Sequence, residues 1–278
     1  MEIKLRNVSK KFKDNIVISN VNLTFNEGKI YSFIGRNGCG KTVLLKLICG
    51  FYKPTTGKVL YDDIDINKDV KIAPNTRALI ENPDFIPTLS GYENLKLLAD
   101  IQKKIGKKEI ENALIAVNLF ESKDKLYYKY SLGMKQKLGI AQVIMEDPNV
   151  IILDEPFNGI ENESVDKLRS LLLEEKSRGK IILIATHIHE DIDVLSDVVY
   201  RVDGGKVEEV LKNNWNKKLS NYINNIYENS HDENFFLLWY YNSDKIVIVK
   251  VTKMSYIFNI MYLLKGVYYG NIESWKFM

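Results

Sequence analysis

Gly35-Arg36-Asn37-Gly38-Cys39-Gly40-Lys41-Thr42 matches G-x-x-x-x-G-K-[ST] and stands between an apolar strand-like run, Ile30 to Ile34, and a helix-like stretch, Val43 to Cys49. Glycine has no Cβ to block a left-handed turn, so Gly35, Gly38 and Gly40 let successive backbone N–H groups curve around phosphate oxygens. Asn37, Cys39 and Val43 belong to the same cradle, and the helix that follows adds its positive N-terminal end. Lys41 is placed to reach the β- and γ-phosphates, and the Thr42 hydroxyl to take one Mg²⁺ position. The stretch therefore predicts a nucleoside triphosphate site.

On either side of it the hydrophobic period changes in a telling order. Residues 1 to 34 alternate apolar positions (Ile3, Leu5, Val21, Leu23, Phe25) with turn residues at Lys13 to Asn15 and Asn26 to Gly28, which predicts an antiparallel meander leading into the P-loop strand. From Leu89 the period is helical, with Leu95, Leu97, Leu98 and Ile101 assigned to one face and Ile110, Leu114, Val117 and Leu119 to a second segment. Val150 to Leu153 and Ile181 to Ala185 are short continuous apolar runs, as expected of strands buried on both faces of a parallel sheet. Between them Val165, Leu168, Leu171 and Leu172 predict a helix that stops near Gly179. This alternation implies a doubly wound α/β fold.

The 278 residues, 45% hydrophobic, suffice for one large core or for a large and a small domain. Of the net charge of +3, all lies after residue 210: residues 211 to 278 hold eight Lys and five acidic residues, and the remainder balances at 31 against 31. A basic groove for nucleic acid is not evident, and no nucleic-acid partner is expected. The longest uncharged stretch, Asn15 to Asn26, has 12 residues, against roughly 20 needed to span a bilayer. The N-terminus lacks the plan of a secretory signal, so a cytosolic protein is expected. Two cysteines fit a reducing compartment, and Cys39 and Cys49, roughly 15 Å apart by helical rise, are too distant to bridge. The last 68 residues hold all three Trp and eight of the 16 Tyr. They read as a small separate module with an aromatic core, a polar link at Lys212 to Lys218, a strand at Lys245 to Val251 and a short helix at Ser255 to Leu264.

Val150-Ile-Ile-Leu-Asp-Glu-Pro156 ends a buried strand on two carboxylates. Ligand crevices of parallel sheets lie outside the carboxyl ends of the strands, so Asp154 and Glu155 are expected to face the P-loop. Asp154 is the candidate Mg²⁺ holder and Glu155 the candidate general base for an attacking water. Tyr130-Ser131-Leu132-Gly133-Met134 opens a helix, and the Ser131 hydroxyl with the Gly133 amide makes a second anion-binding end; the same residues also read as an ordinary N-cap.

The order P-loop, Ser-x-Gly helix start, strand ending Asp-Glu-Pro, then Ala185-Thr186-His187 resembles the ABC-type ATPases, the nucleotide-binding subunits of ABC transporters, over about residues 1 to 210. The resemblance implies a P-loop NTPase fold of ABC type: a mixed sheet core, an antiparallel β subdomain and a helical subdomain at about 83 to 146, followed by a small α+β module at 211 to 278. It implies ATP and Mg²⁺ as cofactors, His187 as the switch histidine at the γ-phosphate, and Phe12 as the aromatic that stacks on adenine, although Phe12 could equally be core. It makes Asn158-Gly159-Ile160-Glu161 the loop that meets a partner subunit. A homodimer is implied, with ATP·Mg²⁺ held between the Lys41 loop of one copy and the Ser131–Gly133 tip of the other, as is a separate membrane permease docking around Glu81 to Glu93, with Phe85, Ile86 and Tyr92, although these apolar residues also read as core packing. The subunit would lie on the cytoplasmic face of the membrane.

Three departures from the family pattern stand out. Leu132 and Met134 replace a Gly and a Gln of the usual signature. Glu81, in Ile80-Glu81-Asn82-Pro83, occupies the place of a glutamine that approaches the Mg²⁺, and a carboxylate there cannot donate hydrogen bonds. Glu161 stands where Asp is commoner. Ile-Glu-Asn-Pro together with Tyr-Ser-Leu-Gly-Met-Lys-Gln-Lys is similar to the subfamily that exports antimicrobial peptides, of bacitracin-resistance and lantibiotic-immunity type. The alternative within the same superfamily is a soluble ATPase in a cytosolic complex such as iron–sulfur assembly; the 88 residues between Thr42 and Ser131 leave no room for the long coiled coils of repair-type members.

Overall fold

The computed structural model describes residues 1–70, 73–210, 236–242, 245–251 and 276–277, and the chain divides into two compact units, Met1–Val210 and Leu211–Met278.

The first unit opens with β1 (Glu2–Phe12) and β2 (Asn15–Asn26), an antiparallel pair joined by a tight turn. The expected meander stops there. β3 (Lys29–Ile34) does not pair with β2 but enters a second sheet, because Ile30, Tyr31, Ser32 and Phe33 are all buried. A strand apolar on both faces has no place in a sheet with one solvated face. After the phosphate loop come α1 (Lys41–Ile48), β4 (Thr56–Tyr61) and β5 (Ile64–Asp65). β4 returns to β1, giving a four-stranded antiparallel sheet in the order β2-β1-β4-β5.

β6 (Thr76–Leu79) leads to the helical block, α2 (Gly91–Gln102), α3 (Lys107–Ala116) and α4 (Leu132–Ile144). The chain then alternates through β7 (Val150–Asp154), α5 (Asn162–Ser177), β8 (Ile181–Ala185), α6 (His189–Leu195), β9 (Val198–Asp203) and β10 (Lys206–Val210). These strands and β3 form a sheet in the order β10-β9-β3-β8-β7-β6, parallel throughout except for β10.

Two cores lie against this sheet, and the strand period of two feeds both. Val150 and Ile152 of β7 pack with Leu44, Leu45 and Ile48 of α1 and with Ile3, Leu5 and Phe25 of the antiparallel sheet. Ile151 and Leu153 pack with Leu95, Leu114, Leu138, Leu168 and Leu172 of the helices. β8 divides the same way, so apart from Asp154 at the end of β7 both strands are apolar at every position.

In the helical block Ser90 and Glu93 form a reciprocal capping box that starts α2. Leu95 and Ala99 are buried, but Leu97 and Ile101, expected beside them, are 46% and 74% exposed. At about 100° per residue, position 97 lies some 200° from 95, on the opposite side. The buried stripe is Gly91, Asn94, Leu95 and Ala99. Ile110, Leu114, Val117 and Leu119 are all buried as expected.

In the second unit β11 (Phe236–Asn242) pairs antiparallel with β12 (Lys245–Val251) and β13 (Lys276–Phe277), so the strand expected at 245 to 251 is present. The expected helix at 255 to 264, the link at 212 to 218 and the aromatic core of this module lie outside the described residues.

Candidate active site

The carboxyl ends of β7, β8 and β3 are neighbours in the sheet, and the chemistry collects there. β3 runs into the phosphate loop at Gly35, where a Cβ would fall 2.3 Å from the Val202 carbonyl oxygen and 2.7 Å from Cys39 Sγ. Only glycine lets the loop leave β3 so close to β9. Gly40, at φ 110°, turns the loop into α1. Lys41, the first residue of α1, is buried, and its Nζ donates to the carbonyls of Gly35 (2.8 Å) and Arg36 (3.3 Å). The ammonium is thus folded into the loop, and the Cys39 amide also donates within it, to the Arg36 carbonyl at 3.2 Å.

Thr42 Oγ1 donates to Asp154 Oδ2 at 2.6 Å, joining the start of α1 to the end of β7. Burial raises the Asp154 carboxyl above its ordinary range and the Glu155 charge adds to the rise; the Thr42 hydrogen bond and the Lys41 charge oppose it but do not prevail. A buried carboxylate with little compensating positive charge favours a cation. Among the described residues no cluster of three or more His, Cys, Asp or Glu could hold a metal ion. The protein therefore offers a hydroxyl and a carboxylate, hard oxygen donors, and phosphate oxygens would have to complete the shell, a donor set that fits Mg²⁺. Glu81, also a candidate ligand, is placed differently: its Oε1 accepts from Lys46 Nζ of α1 at 2.6 Å, while its charge still reaches Asp154.

Glu155 has φ 49°, a left-handed conformation costing on the order of 1 kcal/mol for a non-glycine residue. Two bonds hold it there. Its amide donates to the Ala185 carbonyl of β8 at 2.8 Å, and its carbonyl accepts from Gln136 Nε2 of α4 at 3.2 Å. The result aims the side chain across the sheet, where Oε2 lies 2.9 Å from His187 Nδ1. Lys41, Thr42, Asp154, Glu155 and His187 are thereby brought together by three adjacent strand ends.

Phe12 lies at the end of β1, 40% exposed, with its ring edge-to-face with Tyr52 at 5.5 Å and Lys10 Nζ 4.9 Å from its centroid. It is a surface aromatic rather than a core one. Ser131 caps α4, its Oγ accepting from the Met134 amide at 3.3 Å. Among the described residues no hydrogen bond links Ser131 or Gly133 to the P-loop cluster. Gly133 instead lies against the Asn158–Glu161 loop, since a Cβ there would sit 2.6 Å from the Gly159 carbonyl oxygen. Phe85, expected on the docking surface, is only 9% exposed and packs on Tyr127 at 5.3 Å, so it belongs to the core. Ile86 is 43% exposed.

Five residues at or beside the site are not singled out by any sequence motif: Gln136, Lys46, Tyr52, and the buried pair Arg169 and Asp191. Gln136 had a signal, a polar residue on the otherwise apolar face of α4. The others depend on contacts between distant segments.

A family model described as "ABC transporter" matches residues 18–158. The chain is 37% identical over 206 residues to the ABC transporter ATP-binding protein YybJ of Bacillus subtilis, covering 74% of this chain and 94% of YybJ. It is 37% identical over 211 residues to the bacitracin transport ATP-binding protein BcrA of Enterococcus faecalis, covering 75% and 68%, and 31% identical over 206 residues to the lantibiotic transport ATP-binding protein SrtF of Streptococcus pyogenes, covering 74% and 88%. Among solved structures, the dimeric bacterial ABC transporter cassette MJ0796 superposes with a TM-score of 0.65 at 26% identity, covering 74% of this chain and 96% of that one. With the P-loop motif, the two carboxylates and the histidine gathered at one end of one sheet, the chain belongs to the ATP-binding subunits of the ABC transporter family.

Proposed function

We propose that this subunit drives a separate membrane permease by ATP-dependent dimerisation, at the cytoplasmic face of the membrane, and that the cargo is exported: an antimicrobial peptide or another small molecule. The observation that carries the reading is the Glu155–His187 contact beside the Thr42–Asp154 pair, a base and an oxygen donor set at one end of one sheet. The similarity to bacitracin and lantibiotic transport ATP-binding proteins supports the cargo class.

In the proposed cycle Lys41 exchanges its loop carbonyls for the β- and γ-phosphates, and Phe12, flanked by Tyr52, stacks on adenine. Thr42 and Asp154, with Glu81 nearby, would hold Mg²⁺, which would supply neutralisation of charge on the phosphate oxygens. Ser131 and Gly133 of a second copy close on the γ-phosphate from the opposite side. Glu155 takes a proton from the attacking water as its oxygen bonds to the γ-phosphorus; the bond from that phosphorus to the β–γ bridging oxygen breaks, yielding ADP and phosphate. His187 orients Glu155 and senses the γ-phosphate. Because the γ-phosphate binds the closed dimer preferentially, its loss reopens the pair, and this differential affinity is what a permease can use.

The test is purification of the tagged chain from native membranes. A co-purifying hydrophobic polypeptide that stimulates ATP hydrolysis supports the reading. Recovery solely in a complex of non-membrane proteins overturns it in favour of a soluble ATPase.

A further inference from the structure

The loop carrying His187 is anchored from below by a buried ion pair that the hydrolytic chemistry does not use. Arg169, on α5, is 6% exposed and Asp191, on α6, is 1% exposed. Arg169 Nε and Nη2 donate to Asp191 Oδ1 at 3.0 and 2.6 Å. The other oxygen, Oδ2, accepts from Thr186 Oγ1 at 3.3 Å. Thr186 Oγ1 in turn accepts from the Ile188 amide at 3.1 Å. The donor directions are forced, because an ionised carboxylate only accepts and an amide N–H only donates. One hydroxyl therefore pins the residues on both sides of His187, and one carboxylate pins that hydroxyl.

We propose that Arg169 and Asp191 are positioning residues for ATP hydrolysis, fixing the His187 loop through Thr186 and linking it to α5. That helix starts directly after the Asn158–Glu161 loop, so the arrangement ties the histidine to the segment proposed to meet the second copy. The inference rests on the reading that His187 acts at the γ-phosphate. A pair retained only for stability would be replaceable, since substituting a buried ion pair with apolar residues of similar volume is often neutral or stabilising. Removing Asp191 alone leaves the Arg169 guanidinium only its more exposed partners, Asp166 at 3.0 Å and Glu190 at 2.9 Å, with Nε and Nη2 unpaired, and destabilises.

These two facts define the experiment on the full-length chain. Melting temperature, ATP affinity and kcat are measured for Asp191→Asn, for the double variant Arg169→Met with Asp191→Leu, and for Thr186→Val and Thr186→Ser. The expected result is that the double variant regains most of the melting temperature lost by Asp191→Asn, while its kcat stays down by about tenfold or more at unchanged ATP affinity, because small misplacements of a catalytic group are costly in rate. Thr186→Val loses kcat to a similar extent, adds little when combined with the double variant, and is rescued by Thr186→Ser, which keeps the hydroxyl. Recovery of kcat together with stability in the double variant overturns the proposal, as does a Thr186→Val protein with parental kcat. His187→Ala is run alongside: parental kcat there refutes the role of His187 itself, whatever the other variants do.

Discussion

Nδ1 of His187 lies 2.9 Å from Oε2 of Glu155, although the two residues follow different strands of the sheet. The contact requires the left-handed Glu155 backbone and the register that sets Asp154 opposite Ala185. Replacing Glu155 by Gln preserves the shape and a hydrogen bond to the ring but removes the proton acceptor. Hydrolysis should fall about 10²–10⁴-fold, with ATP still bound, and the variant should accumulate as a nucleotide-loaded dimer. Phosphate release and size-exclusion chromatography with ATP check this; a monomer at saturating ATP would refute the shared-site mechanism.

Phe12 and Tyr52 form the exposed aromatic corner beside α1. Phe12→Ala should weaken nucleotide binding by about 1–3 kcal/mol, the worth of one base–aromatic stack. ATP and ADP should lose affinity equally, because the γ-phosphate is not involved. Titration with a fluorescent nucleotide measures both; a loss confined to ATP would place Phe12 away from the base.

Gly133 approaches the Gly159 carbonyl so closely that a methyl group cannot be accommodated without backbone movement. Gly133→Ala should therefore cost about 1–3 kcal/mol of stability and, in a Glu155→Gln background, suppress ATP-dependent dimerisation. A parental melting curve with normal dimer yield would show that the α4 tip and the partner-facing loop are not rigidly packed.

The two thiols should behave oppositely. Cys49 is 2% exposed, and burial pushes its pKa up from 9.0 to about 12, so at pH 8 almost no thiolate is available for attack. Cys39, in the phosphate loop, is partly exposed. A maleimide at pH 8 should label Cys39 alone in the native protein, more slowly with ATP present, and Cys49 only after denaturation, read by peptide mass spectrometry. Because folding raises the Cys49 pKa, its contribution to stability is complete below about pH 9 and is lost as pH rises toward about 12. Labelling of native Cys49 at pH 8 would contradict its burial.

Legibility in the sequence followed how local each feature is. Lys41 and Thr42 sit inside one eight-residue pattern, and Asp154 and Glu155 end one apolar run, so neighbours along the chain sufficed. Leu97 and Ile101 carry no helical phase in themselves, being merely apolar, and the helix places them opposite Leu95. Phe85 reads in the sequence as either docking surface or core, because the partner that decides it, Tyr127, lies in another segment. The meander failed at β3 for the same reason: alternation identifies a strand, not the sheet it joins.

The continuous apolar runs and the glycine spacing were sufficient by themselves to define a triphosphate-binding α/β protein, because each depends on residues within a turn or a strand of one another, and the order of the motifs carried the resemblance to the ABC type. Which side chains meet was decided by packing alone. Glu155 with His187, Glu81 with Lys46, Gln136 with the Glu155 carbonyl, and Arg169 with Asp191 each require two separate elements to be set in register by buried side chains between them, and no spacing along a single segment encodes that.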